Sequence, residues 1–329
     1  MSVDAKILRS LRTSSEGSVS GAELSQALGI SRAAIWARIE ELRSLGYEIE
    51  ASPHRGYRLI DSPDLIHADD LLSRCQCMQV IGRDIRVFKE TTSTNDVIEK
   101  FARDGAAEGI VVFAEKQTAG RGRLGRNWVS PSGKGLWFSI LLRPPFPPQS
   151  VTRLTIATAT SLARCIRKST GTNAQIKWPN DILINGKKVA GILTELRAEL
   201  DHVKYVILGI GLNVNLGLTD FPGDVAKLAT SLRIAASRTI DRPALAADLL
   251  SHLDSDYKRI KEGHFHAVSE EWEEMSCTLG REVQIQCGDR LIKGRAESLD
   301  PDGALLVRTQ HGRLERILGG DVTLRPPTL

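Results

Sequence analysis

Residues 120–128 read Gly-Arg-Gly-Arg-Leu-Gly-Arg-Asn-Trp, and they lie between two short apolar segments, residues 110–114 and Gly135–Leu142. Apolar runs of this length are typical of buried β-strands. The first six residues of the loop match the spacing G-x-G-x-x-G, which binds phosphates where a strand runs into a helix. Here Pro131 and a second strand follow the loop. The pattern therefore predicts a strand, a loop and a strand, and it excludes a P-loop and a dinucleotide-binding Rossmann unit.

The charged residues in the sequence around this loop are all basic. No Asp or Glu occurs between Glu115 and Asp181, and the 65 residues between them include eleven Lys or Arg. One guanidinium group can donate two parallel hydrogen bonds to the oxygens of a phosphate or carboxylate group. Glycines let backbone N–H groups approach such oxygens closely. The loop is therefore predicted to bind an anion that carries phosphate and carboxylate groups. We expect acids to be kept away from it, because they would repel that ligand. A solvated basic loop that also meets nucleic acid is the alternative.

The segments after the loop predict a mixed, mostly antiparallel sheet with helices. A helix capped by Ser150 and ended by Gly171 comes first. Three strands follow, over residues 175–184, 187–197 and 203–213. An Asn-Gly pair, the typical two-residue hairpin turn, joins the first two strands.

The first 61 residues predict three short helices and a hairpin. Ser20 and Glu23 form the capping-box pattern of a second helix that stops at Gly29. Ser31 is placed to cap a third helix that runs to Leu45. This helix has an apolar stripe formed by Ile35, Ile39, Leu42 and Leu45. Helices joined in this way and followed by a Gly-containing hairpin are typical of a winged helix-turn-helix DNA-binding domain.

The third helix and the wing carry the candidate DNA-binding residues, which are Ser31, Arg32, Trp36, Arg38, Arg43 and Arg55. Trp36 is an unusual base reader because an indole has one donor and no acceptor. It is therefore either half-buried or stacked on sugar and methyl groups. A small helical protein-interaction domain is the alternative for the whole segment.

The C-terminal part predicts two helices and then a small β domain. The helices are Arg242–Lys261, with Pro243 in its first turn, and a shorter one around Trp272. Residues 281–325 are rich in strand patterns and suggest a five-stranded barrel. We expect an α+β multidomain protein with boundaries at 1–61, 62–276 and 277–329.

Composition is consistent with a cytoplasmic protein. The 329 residues are 41% hydrophobic and 26% charged, and the net charge of +4 is too small to indicate bulk affinity for nucleic acid. The five cysteines are odd in number, and Cys75 and Cys77 lack a matching Cys/His pair, so no zinc site is expected. Neither a secretion signal nor a membrane-spanning run is predicted from the sequence.

Several blocks of the sequence together resemble the bifunctional biotin–protein ligases that also act as repressors of the biotin operon. These blocks are Ser93-Thr94-Asn95, Gln117, Gly120–Trp128, Lys177-Trp178-Pro179-Asn180-Asp181, Lys188, Ala190-Gly191-Ile192-Leu193 and Gly209–Asn213. The resemblance extends over nearly the whole chain. It implies a central domain like that of class II aminoacyl-tRNA synthetases and a C-terminal SH3-like β-barrel.

The resemblance also implies a reaction in two steps. Biotin and ATP, with Mg²⁺, give biotinyl-5′-adenylate, and the acyl group then passes to one lysine of a biotin carboxyl carrier protein. Operator DNA is the second partner, bound by a homodimer that forms when the adenylate is bound.

Site residues follow from the resemblance, position by position. Catalysis is assigned to Arg123, Lys188 and Asp181, and Asp181 is also the candidate Mg²⁺ ligand. The biotin-binding residues are Ser93, Thr94, Asn95, Gln117, Arg121, Gly122, Arg123 and Lys188. The ATP- and adenylate-binding residues are Arg123, Arg126, Asn180, Asp181, Lys188 and Asn213.

Simpler interpretations exist for some of these residues. Ser93 or Thr94 suits a helix N-cap, Lys188 suits an exposed hairpin, and Asn180-Asp181 suits a plain turn. Three tryptophans, Trp128, Trp137 and Trp178, are expected in the core or as apolar walls. The sequence departs from the family pattern at Leu124 and Asn127, where basic residues are frequent, and this leaves the strength of the dimer open. A biotin-sensing transcription factor without catalysis and a related lipoate ligase are the alternative functions.

Overall fold

The computed structural model describes residues 1–14, 17–53, 55–75 and 78–324. Cys77, one of the five cysteines considered above, lies outside these ranges. The chain divides into two compact units, one formed by Met1–Cys77 with Asp241–Ala247 and the other by Met78–Ile240 with Asp248–Leu329. Among the described residues, no helix combines the length and apolar composition that a membrane span needs.

The first unit contains the three predicted helices, α1 (Val3–Thr13), α2 (Gly21–Leu28) and α3 (Arg32–Ser44). The capping box between Ser20 and Glu23 is present, and the Ser31 side chain accepts from the backbone N–H of Ala34 at 3.1 Å. Gly29 ends α2 with a φ of 67°, a left-handed conformation that glycine adopts without strain. The helix-turn-helix prediction is therefore confirmed down to its caps.

The wing follows as an antiparallel hairpin of β1 (Glu48–Ser52) and β2 (Gly56–Asp61). The predicted stripe on α3 is buried at Ile35, Ile39 and Leu42. Leu45 was wrongly assigned to it, because the helix ends at Ser44 and Leu45 is its 38%-exposed C-cap. Once the helical period stops, spacing no longer determines which way a side chain faces.

A short helix, α4 (Ala68–Arg74), lies beyond the predicted domain end at residue 61 and belongs to this same unit. Asp70 on α4 is 1% exposed, and its carboxylate pairs with Arg12 at 2.6 Å and with Arg74 at 2.8 Å. Removing a partner from a buried charge is strongly destabilising, so α1 and α4 depend on each other.

The second unit is built on a seven-stranded sheet. In chain order its strands are β3 (Asp84–Thr91), β4 (Ile110–Gln117), β5 (Gly135–Leu142), β6 (Ala174–Lys177), β7 (Asp181–Ile184), β8 (Lys187–Glu199) and β9 (His202–Asn213). Across the sheet the order is β3-β4-β5-β9-β8-β7-β6. The β3–β4 pair is parallel and the other ladders are antiparallel, which confirms the mixed, mostly antiparallel sheet. The sheet carries α5 (Thr94–Arg103), which precedes β4, and α6 (Thr152–Thr170), which precedes β6.

Two local predictions in this unit are wrong. Residues 175–184 form not one strand but the β6–β7 hairpin, in which Lys177 pairs with Asp181. Pro179 lies at the turn, where the missing N–H prevents the strand from continuing. Ser150 does not cap α6, because Val151 is the N-cap residue and the Ser150 hydroxyl donates to Asp302 at 2.7 Å.

The remaining helices are α7 (Val225–Leu228), α8 (Leu232–Ala236), α9 (Arg242–Lys261) and α10 (Phe265–Met275). The bounds of α9 agree with the prediction, and α10 contains Trp272 as expected. The C-terminal strands are β10 (Glu282–Cys287), β11 (Arg290–Leu299), β12 (Leu305–Thr309), β13 (Leu314–Ile317) and β14 (Asp321–Leu324). They form an antiparallel sheet in the order β13-β12-β11-β10-β14. The five strands are confirmed, and their closure into an SH3-like barrel stays a prediction.

Candidate active site

A cavity of about 450 Å³ lies over the central sheet of the second unit. All of the site residues predicted for this unit line it, namely Ser93, Thr94, Asn95, Gln117, Arg121, Gly122, Arg123, Arg126, Asn180, Asp181, Lys188 and Asn213. These residues are up to 120 positions apart in sequence and come from four strands, one helix and the loops between them. The structure therefore brings together the predicted residues, while the role of each one stays a prediction.

Three glycines of β8 and β9 line the cavity, and at Gly209 and Gly211 an added side chain would collide with a neighbouring residue. A Cβ atom on Gly209 would lie 2.3 Å from Oδ1 of Asn95, and one on Gly211 would lie 2.5 Å from the indole of Trp128. A Cβ atom on Gly191 would lie 3.0 Å from the Lys188 side chain. These contacts explain why the sheet carries glycines at positions where a strand would otherwise favour larger residues.

Trp128 is an apolar wall of the cavity, whereas Trp137 and Trp178 are fully buried core residues. The Nζ of Lys188 lies 5.2 Å from the centre of the Trp128 ring, within the range of a cation–π contact. Lys188 is thus held against the indole at the cavity, and the description of an exposed hairpin charge does not fit it.

The Gly/Arg loop, residues 120–128, is held by its own backbone. The N–H of Trp128 donates to the carbonyl of Gly120 at 2.8 Å, and the N–H of Gly122 donates to the carbonyl of Arg126 at 2.6 Å. Leu124 at the tip has a φ of 57° and is 76% exposed. A non-glycine residue is uncommon in this left-handed region, so the tip is a strained part of the loop.

Gln117 orders the buried polar groups around Thr94 and Ser130. Its Oε1 accepts from the backbone N–H of Thr94 at 2.8 Å, and its Nε2 donates to Ser130 at 2.9 Å. Ser93 precedes α5, but its side chain makes no capping hydrogen bond. Helix capping therefore does not explain why a serine is buried at this position.

Carboxylates accompany the cavity's cations, contrary to the expectation that acids are kept away. Lys188 Nζ lies 2.6 Å from Asp181, and Arg126 pairs with Asp321 of β14. Arg121 pairs with Asp96 and, at 3.3 Å, with Glu195. The acid-free stretch is a property of the sequence only, because the fold brings these carboxylates in from helices and strands outside it.

Arg123 is placed differently from these cations. Its Nη1 donates to the amide oxygen of Asn180 at 3.0 Å, and Asn180 is itself fixed by donating to the carbonyl of Ile192 at 2.7 Å. Burial lowers the pKa of the Arg123 guanidinium, although Asp181 and Asp321 oppose this effect, and an arginine stays cationic at neutral pH. Because the Asn180 amide is neutral, it does not neutralise the positive charge of Arg123, which can then pair with an anionic ligand.

The cavity also has apolar lining residues that the sequence did not single out. Phe221, Val225, Leu228 and Ala229 line it. Asn213 lies beside them, and its Nδ2 donates to the carbonyl of Thr230 at 3.0 Å. Asp96, Ser139, Glu195 and Asp321 were also missed, because only the folded chain places them against the predicted residues.

The described residues contain no group of three or more His, Cys, Asp or Glu side chains placed to hold a metal ion. Mg²⁺, however, commonly binds a triphosphate together with one or two carboxylates. Asp181 is one such carboxylate and Asn180 offers an amide oxygen, so these residues fit a metal ion that arrives with its nucleotide once Lys188 and Arg123 release their oxygens.

On the first unit, the structure separates the candidate DNA-binding residues into two groups. Ser31, Arg32, Trp36, Arg38 and Arg55 are exposed, with Trp36 at 58%. Arg43 is partly buried, and its guanidinium donates to the carbonyl of Ile49 at 2.9 and 2.5 Å. These donors tie α3 to the wing in this conformation.

Comparison with known proteins places each part of the chain. Residues 87–213 match the model of the biotin/lipoate A/B protein ligase family, residues 4–58 match an HTH domain, and residues 278–325 match the biotin protein ligase C-terminal domain. The chain is 39% identical to the bifunctional ligase/repressor BirA of Bacillus subtilis, over 93% of this chain and 94% of that protein. It is 31% identical to the protein of the same description from Escherichia coli, over 93% of this chain and 92% of that protein.

Among solved structures, the biotin protein ligase of Aquifex aeolicus in complex with biotin and ATP superposes with a TM-score of 0.63. The two chains are 31% identical, and the match covers 74% of this chain and 99% of that one. Identity of this extent, together with the cavity that gathers the predicted residues, shows that the chain belongs to the biotin–protein ligase family.

Proposed function

We propose that this protein is an ATP-dependent biotin–protein ligase that also represses transcription of biotin-biosynthesis genes as an adenylate-bound dimer. The observation that carries the proposal is that one cavity holds the biotin-binding and the nucleotide-binding candidates side by side. A carboxylic acid must meet the α-phosphate of ATP for adenylation, so the two sets of residues have to be contiguous.

The cavity offers suitable groups to biotin around Thr94 and Gln117. The ureido ring of biotin has two N–H donors and one carbonyl acceptor, and this region presents the buried hydroxyls of Ser93 and Thr94 and the partly buried amide of Gln117. A buried site built to satisfy such groups rejects ligands that lack them, because its own polar groups are then left unpaired.

Adenylation is assigned to the cations around the Gly/Arg loop. The biotin carboxylate attacks the α-phosphorus of ATP, an acyl–phosphate bond forms, and pyrophosphate leaves. Negative charge accumulates on the α-phosphate during this step, and Arg123 and Lys188 stabilise it. Lys188 exchanges Asp181 for phosphate oxygens on binding, which leaves that carboxylate able to ligate Mg²⁺. When bound, Mg²⁺ supplies further neutralisation of the phosphate charge.

Transfer then needs the carrier lysine to reach the adenylate. Its neutral amine attacks the acyl carbon, an amide forms, the bond to the phosphate breaks and AMP leaves. We propose that Arg123 and the rest of the loop hold the adenylate until a biotin carboxyl carrier domain arrives, so that hydrolysis by water is avoided.

Repression is assigned to the first unit. The exposed Arg32, Trp36 and Arg38 of α3, with Arg55 of the wing, are the groups proposed to contact operator DNA. Two-fold symmetric half-sites require a dimer, and we propose that the adenylate orders the Gly/Arg loop for it. Leu124 and Asn127 are exposed on this loop at positions where the family frequently has basic residues, which leaves the strength of the dimer open. A cytoplasmic location follows from the need for ATP, carrier protein and chromosomal DNA.

The adenylation half of the proposal is tested by biotin-dependent release of pyrophosphate from ATP. Lys188→Ala is expected to lower kcat/KM by about 100-fold, because a cation aimed at the developing charge is lost. Lys187→Ala is the matched control, since that neighbouring lysine is exposed and does not line the cavity. Release that responds to lipoate but not to biotin would contradict the proposal and indicate a lipoate ligase.

A further inference from the structure

A chain of short hydrogen bonds runs from the cavity wall into the sheet. The hydroxyls of Thr94 and Ser139 are 2.6 Å apart, and the Ser139 hydroxyl donates to Oδ1 of Asn95 at 2.5 Å. Nδ2 of Asn95 then donates to Oε2 of Glu195 at 2.6 Å. Thr94 and Asn95 are each 3% exposed and Ser139 is fully buried, so water does not compete along most of this chain.

The carboxylate at the end fixes the direction of every donor. An ionised carboxylate only accepts, so the Asn95 amide must present its nitrogen to Glu195 and its oxygen to Ser139. The single proton of the Ser139 hydroxyl is then used on Asn95. Ser139 can therefore only accept from Thr94, and the Thr94 proton points into the sheet.

The competing arrangement is weaker on geometry. Oγ1 of Thr94 could instead donate to Oε1 of Gln117, but that distance is 3.2 Å, compared with 2.6 Å to Ser139. Oε1 of Gln117 already accepts from the backbone N–H of Thr94 at 2.8 Å. With its proton directed at Ser139, Thr94 has lone pairs left for a ligand.

We infer that Ser139 and Glu195 are positioning residues that make Thr94 a hydrogen-bond acceptor for an N–H group of the biotin ureido ring. The inference rests on the proposed function, since it concerns how the ligase selects its acid. Neither residue lines the cavity, so both act through Thr94 and Asn95.

Two further contacts hold the chain in place. The guanidinium of Arg121 lies 3.3 Å from Oε1 of Glu195, which puts a positive charge beside the carboxylate that sets the polarity. Gly209 leaves room for Asn95, because a Cβ atom there would lie 2.3 Å from the Asn95 amide oxygen. The arrangement is thus built from β5, α5, β8 and β9 together.

The test is Ser139→Ala, with Ser161→Ala as the matched control. Ser161 is also fully buried and donates to a carboxylate, that of Asp256 at 2.6 Å, but it lies on α6 away from the cavity. We expect the biotin Kd measured by calorimetry to rise about tenfold in Ser139→Ala, with the KM for ATP within about twofold of wild type. Ser161→Ala should leave the biotin Kd unchanged.

Biotin analogues separate a positioning role from a structural one. Two analogues are needed, in each of which one ureido N–H is replaced by CH₂. Wild-type protein should bind the analogue that lacks the N–H facing Thr94 about tenfold more weakly than biotin. In Ser139→Ala the loss of affinity for this analogue should be only about threefold or less. Without Ser139 the Thr94 hydroxyl can turn to donate as well as accept, so the effects of the protein substitution and the ligand substitution are coupled. Unchanged penalties for both analogues would overturn the inference, even if the biotin Kd rose.

Glu195→Gln provides a second route if Ser139→Ala does not fold, with Glu199→Gln on the same strand as its control. The glutamine amide introduced by Glu195→Gln can donate as well as accept, so the same penalty should shrink, whereas Glu199→Gln should keep the wild-type penalty. A wild-type penalty in Glu195→Gln would also overturn the inference. If wild-type protein bound no biotin at all, the proposed function would fail. If wild-type protein bound biotin but Ser139→Ala and Glu195→Gln kept the wild-type penalty for the analogue, only the positioning role would be contradicted.

Discussion

Gly211 marks the point where a single missing methyl group shapes the cavity. The Trp128 indole lies so close to its backbone that a Cβ atom would be 2.5 Å away. Trp128 in turn supports Lys188 through the cation–π contact. Gly211→Ala should therefore displace Trp128 and raise the KM for biotin by at least about tenfold, since a close-packed contact cannot absorb an added carbon.

The control for this prediction is Gly217→Ala. Its added Cβ would meet Asp220 at 3.7 Å, an ordinary contact distance, and Gly217 does not line the cavity. Steady-state kinetics with biotin as the varied substrate would measure both variants. Equal KM values for Gly211→Ala and wild type would show that Trp128 does not shape the biotin site.

Arg123 is the residue on which retention of the adenylate should depend. Its guanidinium is held by the neutral Asn180 and carries a charge suited to the acyl phosphate. Arg123→Gly is expected to speed release of biotinyl-5′-adenylate about 10- to 100-fold, the value of a charge-assisted hydrogen bond. Arg103→Gly is the matched control, because it removes the same positive charge from the exposed end of α5, at a position away from the cavity.

Rapid filtration of preformed adenylate complex would give the release rates. If Arg123→Gly released adenylate at the wild-type rate, Arg123 would not be the clamp. Promiscuous labelling of added proteins by the released adenylate would be a second sign of the expected effect.

At the scale of elements, the contact between the Gly/Arg loop and β14 has a predicted effect on ATP. Arg126 donates to Asp321 at 3.2 Å and makes a second, shorter contact to the same carboxylate. The bond from Arg126 holds the pKa of Asp321 below its usual range, so the pair persists until the pH falls through that lowered pKa. If Arg126 binds phosphate, ATP must displace this carboxylate, and Asp321→Asn should lower the KM for ATP about two- to fivefold.

Glu315→Gln is the matched control for this prediction. It removes a carboxylate from β13 of the same sheet, where Glu315 pairs with Arg290 at 2.7 Å outside the cavity. The effect of Asp321→Asn should fade in high salt, because the Arg126–Asp321 pair is largely exposed. A higher KM for ATP would show that Asp321 holds Arg126 in place for the nucleotide.

Elements with local signals could be predicted from the sequence. The capping box at Ser20, the stop at Gly29 and the bounds of α9 depend on residues a few positions apart, and all are confirmed. The helix α4 was missed because Asp70 is stabilised by Arg12, 58 positions away along the chain. The division of residues 175–184 into two strands was missed because the strand pattern outweighed Pro179.

The candidate site divides in the same way. Residues that carry a family motif, such as Lys188 and Asn180, could be named from the sequence and do line the cavity. Their counter-ions could not, because Asp96, Glu195 and Asp321 reach the cations only through the fold. A sequence without acids over 65 positions therefore does not imply a site without them.

At the scale of the whole molecule, DNA binding and ligation should be separable by mutation. Arg32 is exposed on α3, so Arg32→Ala should weaken operator binding about tenfold and leave the thermal stability and the ligation rate unchanged. Arg43→Ala should instead lower the free energy of unfolding by about 2 kcal/mol, because it loses the bonds to the Ile49 carbonyl. Fluorescence anisotropy with operator DNA and thermal melts would distinguish the two variants. Wild-type stability in Arg43→Ala would contradict the division into a DNA-contacting Arg32 and a structural Arg43.

The central claim is that one chain activates biotin with ATP and passes it to a carrier lysine. The most direct measurement incubates the purified protein with ATP, labelled biotin and an apo-biotin carboxyl carrier domain, and follows label on the carrier by mass. We predict one biotinyl group on one lysine, dependent on ATP, and its absence when that lysine is replaced by arginine. An unlabelled carrier with active ATP and biotin present would contradict the claim and leave a biotin-binding regulator in its place.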